Sequence, residues 1–147
     1  AIVRLNYAVD LRYGVLVDIA SRIVAGSPVD LRMGHVNVIW QGDANDWALR
    51  CLARASSPPF IVNVTGRETL SVRAIATTLG SMLGREPSFT GIEAPDALLS
   101  DATLAHTIFG APSVSTDTLL AWVGAWVGAG KPLLGKPTHF EERTGAF

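Results

Sequence analysis

The sequence predicts an α/β (α+β) domain, a small mixed sheet with flanking helices. Two observations carry this. Short apolar runs of strand character alternate with longer stretches whose apolar residues recur every three or four positions. The strands are few and short, which suits a small unit better than a complete doubly wound sheet. The chain of 147 residues is about one domain long, so 1–147 is read as a single unit.

Residues 1–7 read as a strand. Residues 15–25, "VLVDIASRIVA", put Leu16, Ile19, Ala20 and Ile23 on one helical stripe. Gly26 suits the position after that helix, and Pro28 forbids continuation. "VNVIW", 36–40, is a second strand. "GDANDWALRCLARA" follows as a helix with Asp43 as its expected N-cap, ended by the serines and prolines of 56–59. "FIVNV", 60–64, is nearly all apolar and is expected to be buried on both faces.

Ser71 can cap a helix carrying Val72, Ile75, Leu79, Met82 and Leu83, closed by Gly84. Residues 87–92 suit a short strand. A short helix begins at Ser100 or Asp101 and runs to Phe109, stopped by Gly110 and Pro112. Ser115 or Thr116 caps the last helix, with Leu119, Leu120, Val123, Trp126 and Val127 on one side. From Lys131 the proline- and glycine-containing tail is expected to lie extended over the surface.

Composition narrows the function. Apolar residues make up 48% and charged residues only 17%, so some apolar surface is expected to meet a partner. Net charge is −1 with no basic block, which argues against nucleic acid. No apolar stretch reaches the ~20 residues of a membrane span, and a cytoplasmic location is the default. The one cysteine, Cys51, excludes an internal disulfide and reads as a small buried hydrophobe on a helix.

The motifs of self-contained catalysis are missing. No GxGxxG follows a strand, and there is no phosphate-binding GxxxxGK[ST], HExxH or GxSxG. His35, His106 and His139 lie far apart, so neither a metal site nor a catalytic set is expected. They read as a loop residue, a helix-surface residue and a tail hydrogen-bonder. Trp40, Trp47, Trp122 and Trp126 read mainly as core, with pocket lining or interdomain contact as the other reading.

Four segments in order resemble one family. "RLNYAV", Arg4 to Val9, resembles the strand and loop that follow the catalytic Tyr-x-x-x-Lys helix in extended short-chain dehydrogenases/reductases, the NAD-dependent epimerase/dehydratase family. "VIWQGDANDWALRCLARA" is similar to a strand running into a helix capped by Asp43. "FIVNVTGRETLSVRAIATTLGSMLG" resembles a strand, loop and helix, with Asn63, Gly66 and Ser71 in register. "SDATLAHTIFGAPSVSTDTLLAWVGAWV" resembles the closing motif and final helix, matched at Asp101, Thr103, Ala105, Phe109, Gly110 and Pro112. The tail "GKPTHFEERTGAF" also resembles that family.

The resemblance implies the C-terminal, substrate-binding part of a Rossmann-type enzyme. The N-terminal cofactor domain and the catalytic Tyr and Lys lie outside this chain. The parent would use NAD or NADP, whereas no cofactor is expected here. Asn6 matches the family's Asn beside the cofactor–substrate junction. Arg12, Arg32 and Arg67 are loop candidates for substrate contact, and Trp40 a pocket candidate. The substrate is expected to be a small molecule, related to a sugar or sugar nucleotide.

Two departures weaken the nucleotide reading: Val36 stands where an Arg commonly grips the diphosphate, and "TGIEAPDALLSD" holds no Arg. The alternative function is a non-catalytic metabolite- or protein-binding module that kept the fold. In either case the first strand is expected to need neighbours. Its abrupt start reads as a cut, and an unpaired edge there favours self-association.

Overall fold

A computed structural model describes residues 1–143, so the last four residues of the tail "GKPTHFEERTGAF" lie outside it. Strands β1 (Ile2–Leu5) and β2 (Ala8–Val9) lead into helix α1 (Val15–Val24). Next come β3 (Val29–Asp30), β4 (His35–Val36), β5 (Ile39–Trp40) and α2 (Gln41–Arg50), which tightens into a 3₁₀ turn at Cys51–Arg54. Then follow β6 (Ile61–Val64), β7 (Leu70–Ser71), α3 (Val72–Leu83), β8 (Phe89–Thr90), α4 (Thr103–Phe109) and α5 (Thr116–Gly128).

The strands form four two-stranded pairs of mixed sense. β1 runs parallel to β6, β2 to β5 and β3 to β8, while β4 and β7 are antiparallel. Two expected strands are broken. The first is interrupted at Asn6–Tyr7, where Tyr7 takes a φ of 43°. "VNVIW" is split at Asn37–Val38, and each half pairs with a different partner. His35, expected in a loop, lies in β4.

The larger core is a helical layer. α1, α3 and α5 pack against one another through Leu16, Ile19, Leu79, Leu119 and Val123, all essentially inaccessible. The caps on two of these helices match expectation: Ser71 Oγ accepts from Ala74 N at 3.3 Å, and Ser115 Oγ from Thr118 N at 3.2 Å. Asp43 is a correction. The N-cap of α2 is Trp40, and Asp43 sits inside the first turn. Its buried carboxylate instead accepts from Ser113 N, Ser113 Oγ and Val114 N at 3.0, 2.6 and 3.2 Å. It pins the turn before α5 to α2, a long-range role that local spacing does not reveal.

A second core joins α2 and α4 to the β1–β6 pair through Trp47, Cys51, Val62, Val64 and Ala105. "FIVNV" is covered on one face only. Val62 and Val64 are buried, while Ile61 is 41% exposed beside its partner Ile2 at 45%. The tail departs from expectation too. It crosses the surface, but Phe140 is only 1% exposed and packs into the helical core.

Candidate functional site

The break between β1 and β2 builds the site. Asn6 N–H still donates to Val64 O at 3.0 Å, whereas the Tyr7 carbonyl accepts from Ile39 N at 3.2 Å. The chain thus changes partner strand at this point. The bend opens a cavity of about 640 Å³ lined by Asn6, Tyr7, Tyr13, Gly14, Leu99 and Ser100 among others, with Thr138 of the tail at its edge.

A chain of hydrogen bonds fixes its wall. Asn6 Nδ2 donates to Asn37 Oδ1 at 2.8 Å, and Asn37 Nδ2 donates to Ser100 O at 2.8 Å. Ser100 N–H donates to Asn37 Oδ1 at 3.4 Å. Thr65 Oγ1 donates to Asn37 O at 3.1 Å, and His106 Nε2 lies 3.2 Å from Thr65 O. Asn37 is buried with its side chain satisfied, which removes the penalty such an amide otherwise carries. Sequence reasoning missed it. The available signal was a polar residue at the centre of the apolar run "VNVIW".

The N-terminus of α1 forms another part of the wall. Its N-cap is Gly14, at φ 124°, and no side chain accepts from the first-turn amides. A Cβ at this position would lie 3.1 Å from the Val9 backbone in a conformation that side chains rarely adopt. Gly14 therefore lets the helix begin against β2 with its N–H groups unoccupied by side chains. Such an end carries partial positive charge and suits an anionic oxygen. Burial, and then the Glu141 carboxylate, push the Tyr7 phenol above its ordinary range, so it stays a neutral hydroxyl.

The five sequence candidates do not converge. Only Asn6 lines this cavity. Arg12 pairs with Asp10 at 3.1 Å, and its hydrogen bond holds that carboxyl below the usual range. Arg32 is exposed and pairs with Asp30 at 2.7 Å. Trp40 lines an aromatic groove with Trp122 and Trp126. Arg67 is exposed over a cleft beside His106. His106 is not a plain surface residue: it is half-buried and meets Trp47 edge to face at 5.1 Å. Burial raises the Cys51 thiol, which suits packing and not nucleophilic attack. Among the described residues no cluster of three or more His, Cys, Asp or Glu stands ready for a metal, and no helix is long and apolar enough to cross a membrane.

No family model and no curated protein matches this chain. Solved structures do. The UDP-glucuronic acid 4-epimerase of Bacillus cereus, in complex with UDP-glucuronic acid and NAD, superposes with a TM-score of 0.69 at 14% identity over 88% of this chain. The fold is epimerase-like. The UDP-glucose 4-epimerase of Thermus thermophilus, in complex with NAD, gives 0.64 at 18% identity over 84% of this chain. The Bordetella bronchiseptica enzyme WbmG, in complex with NAD, gives 0.66 at 20% over 86%. The epimerase-like chain spans 45%, 44% and 43% of these three structures, less than half the length of each. Identities this low establish the fold.

Proposed function

We propose that this chain is the C-terminal, substrate-binding part of an NAD(P)-dependent epimerase/dehydratase-like oxidoreductase, and that the cavity at Asn6 receives the substrate. The observation that carries the reading is the Asn6–Asn37–Ser100 chain. It holds an amide in the wall of the 640 Å³ cavity, at a position that a family motif also marks. The fold shared with NAD- and UDP-sugar-bound epimerases supports it.

The donor set suits a hydroxylated, anionic small molecule of the sugar-nucleotide class. The amide of Asn6 and the phenols of Tyr7 and Tyr13 can bond sugar oxygens. The free amides of α1 supply attraction for phosphate where the family's arginines are absent. The same residues do not make a dinucleotide site. Among the lining residues Gly14 is the only glycine, and the loop from β2 to α1, Asp10 to Gly14, carries no GxGxxG. This chain therefore positions and encloses substrate, with catalysis supplied by residues and a cofactor outside it, in the cytoplasm.

The test is the reading frame that precedes this segment. A frame encoding a Tyr-x-x-x-Lys helix, whose joined product reduces NAD or NADP with a sugar nucleotide, is the expected result. A stop codon and ribosome site immediately upstream would overturn it in favour of a stand-alone binding module.

A further inference from the structure

Three of the four tryptophans meet at one surface groove, apart from the cavity at Asn6. Trp40 and Trp122 stand edge to face with ring centroids 5.6 Å apart. Trp126 faces the same space, and its Nε1 donates to Pro132 O at 3.1 Å, which ties the start of the tail to α5. With Leu11, Ala125 and Lys131 they line a groove of about 460 Å³. This volume falls in the ordinary range for small-molecule sites. The groove shares no lining residue with the Asn6 cavity.

The arrangement is built from two directions. A Cβ at position 42 would lie within van der Waals overlap of the Trp40 indole, 2.4 Å from its Nε1, so the bare first turn of α2 is what lets that ring lie where it does. Trp122 is 42% exposed on the far wall, a large apolar area to leave in water. The indole N–H groups of Trp40 and Trp122 have no protein acceptor among the described residues. Lys131 is the only charged residue lining the groove, and among the described residues it forms no ion pair.

We propose that this groove binds a small planar aromatic molecule carrying an anionic group, its ring against the indoles and its charge toward Lys131. The Trp40 and Trp122 planes stand at 77°, so a flat ring can stack on one indole and meet the other by its edge, and the single ammonium sets the sign of the charge. An aromatic cation would meet Lys131 as a like charge, which argues against the ammonium-cage use of clustered indoles.

The probe is 8-anilinonaphthalene-1-sulfonate, titrated by fluorescence against the 147-residue chain, with uncharged N-phenyl-1-naphthylamine as comparison. Saturable one-site binding of the sulfonate is expected. Trp122→Ala should weaken it about tenfold. Lys131→Glu, at an exposed position that leaves the core untouched, should weaken the sulfonate about two- to fivefold and leave the uncharged dye unchanged. The variant Ile61→Lys, on the exposed sheet face, should leave sulfonate binding unaltered. Sulfonate binding that ignores both Trp122→Ala and Lys131→Glu, or that falls with Ile61→Lys, would overturn the proposal. So would saturation lost in step with dimer formation in sedimentation, since the groove would then be a contact between copies.

Discussion

Arg22 and Glu141, 119 residues apart, form a 2.7 Å ion pair that fastens the tail to α1. Nearby, Thr138 N and Thr138 Oγ1 donate to Asp18 Oδ2 at 2.7 and 2.6 Å. Farther along, Arg143 Nη1 donates to Asp96 O at 3.0 Å and Arg32 O at 3.1 Å, and its other nitrogen pairs with the Asp96 carboxylate. The tail is thus a strap from α1 to the loop that leads into Leu98, Leu99 and Ser100 of the cavity wall.

The strap is anchored by Phe140 in the helical core. Phe140→Ala leaves a void where a full aromatic ring was buried, and should cost about 3–5 kcal/mol. Urea unfolding measures this. A loss below about 1 kcal/mol would mean that the strap is not part of the cooperative fold.

Asp18 gives the strap a pH signature. Burial raises its carboxyl above the ordinary range, against the Thr138 hydrogen bonds that lower it, and the Glu141 charge adds to the rise. The folded chain therefore binds this proton more readily than the unfolded chain. Its favourable contribution is complete below the ordinary carboxylate pKa and is lost as pH rises through the folded-state value. Asp18→Asn keeps an acceptor and has no charge to bury. Its stability relative to wild type should climb from acid toward neutral pH and then level off. A relative stability independent of pH across that window would contradict the assignment.

Gly66 is fixed by space. A Cβ there would lie 2.0 Å from Val38 O, a backbone atom that cannot swing aside. Gly66→Ala should cost about 1–3 kcal/mol. The shift should reach the neighbouring Thr65–Asn37 bond and weaken ligand binding at Asn6 as well. Wild-type stability together with wild-type binding would show that the loop moves freely.

The self-association proposal rests on the unpaired edge of β1, with the exposed β1–β6 face beside it. Ile2 and Ile61 lie side by side and open to solvent, and among the described residues β6 is the only strand paired with β1. Concentration-dependent dimers should appear in sedimentation and disappear in the Ile2→Lys, Ile61→Lys double variant. A clean monomer at high concentration would contradict this.

Periodicity and capping chemistry made much of this fold legible. The stripe at Leu16, Ile19 and Ile23 and the caps at Ser71 and Ser115 are local signals, and the structure keeps them. What escaped was long-range. Asp43 looks like a cap because its partners Ser113 and Val114 lie seventy and seventy-one residues away. "FIVNV" looks doubly buried because composition does not say which face has a partner. Asn6 is legible through a motif, while Asn37, its hydrogen-bond partner, is hidden in a strand-like run that breaks at that residue. Arg12 and Arg32 are paired with nearby Asp10 and Asp30, a local pairing that charge alone does not show.

The central claim is that this chain holds the substrate side of an epimerase-like enzyme, centred on Asn6. Calorimetric titration with UDP-glucose, UDP-glucuronic acid and NAD under one set of conditions tests it most directly. Saturable binding of a UDP-sugar, weakened about tenfold in Asn6→Ala, with no saturable NAD binding at micromolar concentration, is the predicted result. Micromolar NAD binding, or UDP-sugar binding indifferent to Asn6→Ala, would contradict it.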